Sequence, residues 1–480
     1  MKILLIPLDG RPCNTTLPAG LARVAGCAVS MPPASMLGRY MEPADTDAIC
    51  GFINTHAADA DAIILSADMC VHGGIEMSRG ARPGMEEARR RLDRLEEIVR
   101  AHGPKITLFS MITRGTITAT KESELQLWEY TGLLNTLRGK RRTASEELRY
   151  KELLAAIPPQ VLADYDFARK RNHEINMRIA GWAAQGLPAR TLFLQDDAGE
   201  FGPHIAEQKA LEEAAGGRAD FMPGADEACS MLTAGAVVRH LSLKPSINII
   251  TADREAMNHF ALYERNPFAE SLASHMVPLS LQENPDATVE FFVNPPHNPS
   301  TDLFLRPHPG TMREYEAFAE RLSDSAQAGD SVVLADCGHC NGADIHLMAE
   351  LDKTTLGRLA GFAAWNTASN TLGTALAHAA MIAAGKHTGK FRQEQSDLLT
   401  RTRLLEDWLF QSLAREEMTA YCLKNKVDRF GFGDRWKEMD AMLDARMKEL
   451  AGQLMPPLPP FSSDFPWRRL FETEVKWKKA

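Results

Sequence analysis

Short, mostly apolar runs recur along this chain, and almost every run ends in a polar side chain. The run 191–195 ends in the pair Asp196 and Asp197, and similar runs end at Asp68 and Asp336. Segments of helix length lie between the runs. This alternation predicts an α/β fold with a mainly parallel sheet covered by helices. Because the carboxyl ends of parallel strands meet at one edge, we expect these polar side chains to share one site.

The number of runs leaves two architectures open. Eight runs, ending near residues 8, 67, 113, 195, 252, 293, 335 and 365, give the strand count of a (β/α)8-like barrel. Three more strand candidates at 28–32, 219–223 and 276–281 allow an alternative of two doubly wound domains divided near residue 242. We favour the barrel, and both architectures place function at the carboxyl ends of the strands.

The rest of the chain is predicted to be helical around this core. We predict a catalytic α/β domain over 1–388 and a C-terminal helical extension with a Pro-rich tail over 389–480. Residues 138–188 do not suit a simple crossover and predict an inserted helical hairpin. Its most site-like residues, which also suit a solvated helix face, are Arg169, Arg171, Asn172 and His173. Other predicted helices are 85–101, 122–137 and 368–384, the last capped by Asn366 or Thr367.

Composition excludes several classes of protein. A net charge of −9 over 480 residues argues against a nucleic-acid binder, which needs a basic surface. No run approaches the ~20 apolar residues of a membrane span, so we expect no membrane partner. The eight cysteines are scattered, as is typical of free thiols in a reducing cytoplasm. We therefore predict a cytoplasmic protein, and a homo-oligomer is left open.

The first two strand exits carry candidate binding residues. Asp9 and Arg11 follow the first run, where Arg11 would either pair with Asp9 or clamp an anion with its planar fork. Asp68 and His72 follow the second run, with Gly73-Gly74 allowing a close backbone approach to a ligand or a neighbouring strand. The third run ends at Arg114. Neither a dinucleotide fingerprint nor a P-loop occurs.

The sequence Cys337-Gly-His-Cys340 spells a thiol–disulfide motif, but its context does not resemble a thioredoxin unit. We therefore interpret it as a chance occurrence. As a zinc site, Cys337, His339 and Cys340 would need a fourth ligand from elsewhere, and no second Cys-x-x-Cys supplies a typical set. A dispersed metal site remains an alternative, since oxygen-rich sites need no compact motif. Its candidate ligands are Asp9, Asp68, His72, Asp196 and Asp336. The leading interpretation contains no metal and no cofactor.

Amide side chains are dense in the last third of the α/β region. Trp365, Asn366 and Asn370 come from one segment, and Asn341 with Asp344 from another. Asn294 contributes an amide from a third strand end. An aromatic ring surrounded by fixed amide donors and acceptors is suited to sugar hydroxyls, although these residues would also cap the following helix. We therefore predict a small-molecule carbohydrate as the substrate.

Taken together, these motifs resemble a bacterial domain-of-unknown-function family. The matching stretches are Pro7-Leu-Asp-Gly-Arg-Pro-Cys-Asn, Ser66-Ala-Asp-Met with Gly73-Gly74 and Ser78-Arg79, Gln195-Asp-Asp-Ala, Ala225-Asp-Glu, Asn341-Gly-Ala-Asp and Gly361 to Gly373. The resemblance extends to about residue 410. The chain departs from the family pattern at Gly10, where the family has a second acid, and at His72, where it has Tyr. The resemblance implies no reaction.

A local resemblance suggests a chemistry. An apolar strand that ends in Asp-Asp is similar to the catalytic strand of retaining β-N-acetylhexosaminidases that use substrate assistance. That resemblance implies that one acid orients the acetamide of the sugar and the other protonates the leaving oxygen.

The sequence therefore predicts a glycoside hydrolase that acts on a small sugar or amino-sugar conjugate. Asp197 would be the general acid/base and Asp196 the orienting or stabilising charge. A metal-dependent hydrolase of phosphate or amide bonds is the first alternative, and a non-enzymatic sugar-binding sensor is the second. The predicted binding residues are Asp9, Arg11, Asp68, His72, Arg114, Asn294, Asp336, Asn341, Asp344, Trp365, Asn366 and Asn370.

Overall fold

The chain folds as a mixed α/β protein, as predicted, and its main sheets are parallel. The structure is a computed structural model that describes residues 1–310 and 313–478. The chain divides into two compact units. Unit 1 comprises Met1–Thr15, Cys27–Thr233 and Tyr263–Arg265, and unit 2 comprises Thr16–Gly26, Ala234–Leu262 and the residues from Asn266 onward.

Unit 1 contains a six-stranded, all-parallel sheet. Its strands are β1 (Lys2–Ile6), β2 (Ala28–Ser30), β3 (Ala62–Ser66), β4 (Ile106–Ile112), β5 (Arg190–Gln195) and β6 (Asp220–Pro223). They lie in the order β2-β1-β3-β4-β5-β6. The first five follow the 2-1-3-4-5 order of doubly wound sheets, in which ligands bind where the winding direction reverses, between β1 and β3.

Unit 2 contains a second parallel sheet of five strands. They are β7 (Ser246–Thr251), β8 (Gln282–Glu283), β9 (Val289–Asn294), β10 (Ser331–Asp336) and β11 (Gly361–Ala363). Their order is β11-β10-β9-β7-β8, which is again 2-1-3-4-5 when counted within the unit. The eight-stranded barrel is therefore not confirmed. The change of sheet falls between Pro223 and Ser246, and this interval includes the alternative boundary near residue 242.

Helices occupy most of the remaining chain. The α-helices are α1 (Thr16–Val24), α2 (Thr46–His56), α3 (Ala67–His72), α4 (Ile75–Ser78), α5 (Met85–His102), α6 (Leu125–Arg138), α7 (Ala144–Ala156), α8 (Pro159–Ala184), α9 (Pro203–Ala215), α10 (Ala228–His240), α11 (Phe268–Met276), α12 (Glu316–Ala328), α13 (Ile345–Ala349), α14 (Lys353–Arg358), α15 (Ala368–Thr388), α16 (Gln393–Arg403), α17 (Arg415–Asn425) and α18 (Trp436–Leu454). Leu404–Ala414 is a π-helix. Two helices, α7 and α8, fill the segment 138–188. Among the described residues, no helix combines the length and apolar character needed to cross a membrane.

One predicted strand is wrong. The candidate at 276–281 begins at the last residue of α11 and continues as a short 3-10 helix, Val277–Leu279. Pro278 lacks the N–H that a central strand needs, and Ser280 is in the left-handed region with φ 52°. The strand β8 begins only afterwards, at Gln282. In the Pro-rich tail, β12 (Phe461–Asp464) pairs antiparallel with β13 (Glu474–Trp477).

Each unit has its own apolar core. In unit 1, the amphipathic helix α5 buries Ala88, Leu92, Leu95 and Val99, which are spaced to lie on one face. They pack in one cluster with strand residues such as Leu65 and Leu108. In unit 2, Phe292 and Leu334 from the sheet cluster with residues of α12, the π-helix and α18. The polar residues that follow the carboxyl ends of the apolar strands lie outside these cores.

Candidate functional site

The exit of β1 carries a buried ion-pair network in unit 1. The Oδ2 atom of Asp9 accepts hydrogen bonds from Nε and NH2 of Arg11, at 2.9 and 2.7 Å. Arg11 also donates to both oxygens of Asp226, with NH1 lying 2.8 Å from Oδ2. Three strands separate β1 from β6 in the sheet, so the loop after β6 reaches across the carboxyl edge. Arg11 therefore pairs with protein carboxylates, the first of its two predicted roles.

A second network forms a closed ring of polar side chains. Arg79 binds Asp196 through two hydrogen bonds of 2.9 and 2.7 Å and also contacts Glu76 at 3.2 Å. Glu76 accepts a hydrogen bond from Thr118, whose oxygen accepts one from Arg114. The ring closes where Arg114 NH1 lies 3.4 Å from Oδ2 of Asp197, the neighbour of Asp196 in sequence. We call these six residues the aspartate ring.

Asp197 differs from the other two carboxylates of the ring. Its side chain is 34% exposed, whereas those of Asp196 and Glu76 are 3% and 6% exposed. Desolvation and the neighbouring charge of Asp196 raise the pKa of Asp197 to about 6, against the opposing effect of Arg114 and Arg79. The pair Asp196–Asp197 thus consists of one buried carboxylate held by an arginine and one partly exposed carboxyl group whose pKa is raised to about 6.

Asp68 and His72 lie on α3, directly after β3. Asp68 accepts a hydrogen bond of 3.0 Å from the backbone N–H of Met111, and burial raises its pKa to about 7. Burial and the nearby charges of Arg171 and Arg91 lower the pKa of His72 well below its usual range, so its imidazole is neutral. Gly73 has φ 87°, and a Cβ atom there would lie 3.1 Å from the backbone nitrogen of Ala44. This glycine therefore serves a close approach between two backbone segments.

Helix α8 supports the loops that carry the two ring arginines. Arg171 is fully buried and donates to the carbonyl oxygens of Ser78, Gly80 and Pro83. Arg169 donates to the carbonyl oxygens of Thr113 and Arg114, at 2.8 and 3.1 Å. Three residues of the predicted insertion, Arg169, Arg171 and Asn172, are thus buried and bind loop backbone, so they do not form a solvated helix face.

In unit 2, the exits of β9 and β10 are joined by hydrogen bonds. Asn294 donates to Oδ1 of Asp336 at 2.8 Å, and the backbone N–H of Asp344 donates to Oδ2 of Asp336 at 2.7 Å. Burial and the charge of Asp344 raise the pKa of Asp336 to about 6. Asp336 is fully buried and holds the loop that follows β10, so that the Asp344 side chain is fixed in position.

Four histidines and a tyrosine surround Asp344. His297 Nε2 and the hydroxyl of Tyr315 lie 2.8 and 2.7 Å from Oδ2 of Asp344. His339 Nε2 lies 3.9 Å from the same oxygen, and His308 Nε2 lies 3.7 Å from Oδ1. The rings of His308 and His346 are 5.5 Å apart. We call these four histidines with Asp344 the histidine cluster.

Asn341, Trp365, Asn366 and Asn370 occupy the same unit in largely buried positions. Asn341 and Asn366 have φ angles of 60° and 64°, a backbone conformation that asparagine tolerates better than most residues. The Asn341 amide donates to Asp302 at 2.8 Å, and its backbone N–H donates to the carbonyl of Asn366 at 2.9 Å. Thr367, one of the two predicted caps, caps α15. The two positive-φ asparagines thus serve local backbone geometry. The ring of Trp365 lies 6.0 Å from that of Phe471, between centroids, and is tilted by 59° against it.

The predicted site residues thus form two groups, one in each unit. Unit 1 holds Asp9, Arg11, Asp68, His72, Arg114, Asp196 and Asp197, and unit 2 holds Asn294, Asp336, Asn341, Asp344, Trp365, Asn366 and Asn370.

Sequence reasoning did not include Arg79, Glu76 and Asp226 among the site residues, although Ser78-Arg79 and Ala225-Asp-Glu lie in the motifs on which the family resemblance rests. It also missed His297, His308 and His346. His339 lies inside the motif that was interpreted as a chance occurrence.

Metal-ligand spacing occurs in a place that differs from the predicted one. Among the described residues, two groups of possible ligands have atoms within 4.8 Å of one another: His297, His339 and Asp344, and His308, Asp344 and His346. Neither contains a member of the predicted dispersed set, namely Asp9, Asp68, His72, Asp196 and Asp336. Cys337 and Cys340 are buried and belong to neither group.

Comparison with known proteins gives a family without a function. No curated protein matches the chain, and no solved structure does. One family model covers almost its whole length, residues 3–476. The chain therefore belongs to the family described as "Protein of unknown function (DUF4127)".

Proposed function

We propose that this protein is a glycoside hydrolase whose general acid/base is Asp197. The observation that carries the proposal is the contrast within the aspartate ring: Asp197 is accessible and its pKa is raised to about 6, while Asp196 beside it is buried and charge-paired. A carboxyl group with a pKa near the working pH is suited to donating and accepting a proton during one turnover.

Asp196 contributes its charge. Both of its oxygens accept hydrogen bonds from Arg79, so they have little remaining capacity to bind a substrate directly. Its negative charge disfavours ionisation of Asp197 and so keeps the acid form populated. In the proposed reaction this charge would also stabilise the positive charge that develops on the sugar ring as the glycosidic bond breaks.

The balance of charges supports a neutral substrate. Arg11 is paired with Asp9 and Asp226, and Arg79 is paired with Asp196 and Glu76. Phosphate recognition generally uses arginine or lysine donors that face the ligand. Because these arginines are already neutralised by protein carboxylates, a sugar hydroxyl fits the site better than a phosphate does.

The proposed reaction requires one group that cycles between two protonation states. Asp197 in its acid form donates a proton to the glycosidic oxygen while the bond to the anomeric carbon breaks. Water then adds to the anomeric carbon, and the proton that it releases restores the acid form of Asp197. The products are the free sugar and the alcohol, and no oxidant or reductant is needed.

A panel of nitrophenyl glycosides, including N-acetylamino sugars, tests this proposal with full-length protein. We expect release of nitrophenol from at least one of them, and a loss of about 10²–10⁴-fold in kcat/KM for Asp197→Asn. Because the acid form is required, kcat/KM should fall as the pH rises beyond about 6. Asp220→Asn, at the exposed start of β6, is the matched control and should leave the rate unchanged.

Two results would overturn the proposal. One is the absence of turnover across the panel by folded protein. The other is sugar binding that persists in Asp197→Asn without any turnover by the wild type, which would identify a sugar-binding sensor.

A further inference from the structure

The histidine cluster has no role in the proposed glycosidase chemistry of unit 1. It brings two segments of unit 2 together: His297 and His308 lie in the connection between β9 and α12, and His339, Asp344 and His346 follow β10. His297, His339 and Asp344 are at most 4% exposed. Gathering so many imidazoles around one buried carboxylate has a cost in chain entropy and desolvation, which a bound cation would offset.

The arrangement of donor atoms suits a metal ion. In the first group, the ligand atoms of His297, His339 and Asp344 lie within 4.8 Å of one another, which small side-chain movements would bring to metal-ligand distances of about 2.0–2.2 Å. The second group, His308 and His346, shares Asp344 with the first. Two nitrogen ligands and one carboxylate favour Zn²⁺ and related first-row ions over Mg²⁺ or Ca²⁺, which prefer oxygen.

Outer contacts orient these ligands. His308 Nδ1 lies 2.9 Å from the carbonyl oxygen of Pro309, and its Nε2 accepts a hydrogen bond of 3.2 Å from the backbone N–H of Ile345, so a proton on Nδ1 fixes the ring beside Asp344. Asp336 and the hydroxyl of Tyr315 fix Asp344 through its backbone N–H and its Oδ2 atom. One weak bond, from the Thr301 N–H to His339 Nδ1 at 3.4 Å, would break when His339 binds an ion through Nε2.

We propose that the histidine cluster is a binding site for a divalent first-row transition-metal ion, with His297, His339 and Asp344 as its ligands. Three protein ligands leave at least one coordination position for water or a substrate oxygen, as in catalytic zinc sites. The ion would bring positive charge to a buried carboxylate that is hydrogen-bonded to His297, to Tyr315 and to the backbone N–H of His346.

The test uses untagged full-length protein, so that no added histidines bind metal. The protein is incubated with ZnCl2, freed of excess ion by gel filtration and analysed by elemental mass spectrometry. We expect about one Zn²⁺ per chain or more, and at least a tenfold weaker affinity in His339→Gln and in His297→Gln. His387→Gln, an exposed histidine at the end of α15, is the matched control and should retain the metal.

Two further measurements separate loss of a ligand from loss of the fold. Zn²⁺ should raise the unfolding temperature of the wild type by about 5 °C at saturating ion, but not that of His339→Gln, whose circular dichroism should match the wild type. Co²⁺ should give a visible absorption band in the wild type that both variants lack. Wild-type protein without bound Zn²⁺, or variants that keep it at full affinity, would overturn the assignment. A failure of glycoside turnover would leave it standing.

Discussion

Units 1 and 2 share the 2-1-3-4-5 strand order but neutralise the carboxylates at their strand exits in opposite ways. In unit 1, arginines bind Asp9, Asp196 and Asp226. In unit 2, the amide of Asn294 binds Asp336, and imidazoles and a phenol surround Asp344. Guanidinium groups hold the first set, whereas an amide, an imidazole and a phenol hold the second. The same backbone topology thus carries the proposed proton-transfer site in one unit and the proposed cation site in the other.

The first prediction would break the ion pairs of unit 1. Arg79→Met removes the cation but leaves Asp196 and Glu76 buried, so we expect a loss of about 3–5 kcal/mol in the free energy of unfolding. Chemical denaturation of the full-length protein measures this loss. Arg149→Met removes one side of an exposed pair on α7, and it should cost less than about 1 kcal/mol. Equal losses of unfolding free energy in Arg79→Met and Arg149→Met would contradict the conclusion that the buried pairs stabilise the fold more than the exposed pair does.

The second prediction uses pH to test burial at the exit of β3. The pKa of Asp68 rises from 3.8 to about 7 on folding, so the folded chain keeps a proton that the unfolded chain releases in this interval. Stability should therefore decline as the pH rises through that window, by about 1–4 kcal/mol. Asp68→Asn, whose amide oxygen still accepts from Met111, should show a smaller decline. The measurement is the denaturation midpoint of the wild type and of Asp68→Asn from pH 4 to pH 8. If both midpoints change equally with pH, Asp68 does not cause the decline.

The third prediction probes the neutral partners in unit 2. Tyr315→Phe removes the 2.7 Å hydrogen bond to Asp344 but keeps the aromatic ring in the core. We expect a loss of about 1.5–3 kcal/mol, because the bond involves a charged acceptor that retains His297. Zn²⁺ binding should persist, since the tyrosine orients a ligand and is not one. If Tyr315→Phe loses Zn²⁺ binding without losing stability, the Tyr315 hydroxyl is a metal ligand and not an orienting group.

Much of the fold could be predicted because local patterns determine it. The apolar runs at 62–66 and 331–336 form buried strands, and Thr367 caps α15 as its position before a helical segment suggests. The candidate at 276–281 is wrong because Pro278 and the left-handed Ser280 interrupt a run whose apolar residues alone resemble a strand. The number of sheets could not be predicted. The same strands and the same helical crossovers can form either one closed sheet or two open sheets.

The sites were harder to predict than the strands, because their members meet only in three dimensions. Asp196 and Asp197 were recognisable as adjacent acids after a strand. Arg79 was not, since nothing in its surrounding sequence indicates that it reaches the exit of β5. The histidine cluster was hidden for the same reason: His297 and His339 belong to different loops, and no short motif connects them.

The buried arginines of α8 determine when the loops beside Asp197 lose their conformational freedom. Because Arg171 binds the segment beside Arg79 and Arg169 binds the one at Arg114, both segments lose their conformational freedom once, when the chain folds. A molecule that binds beside Asp197 does not have to order them again. In the proposed reaction, its binding free energy would remain available for lowering the barrier at every turnover.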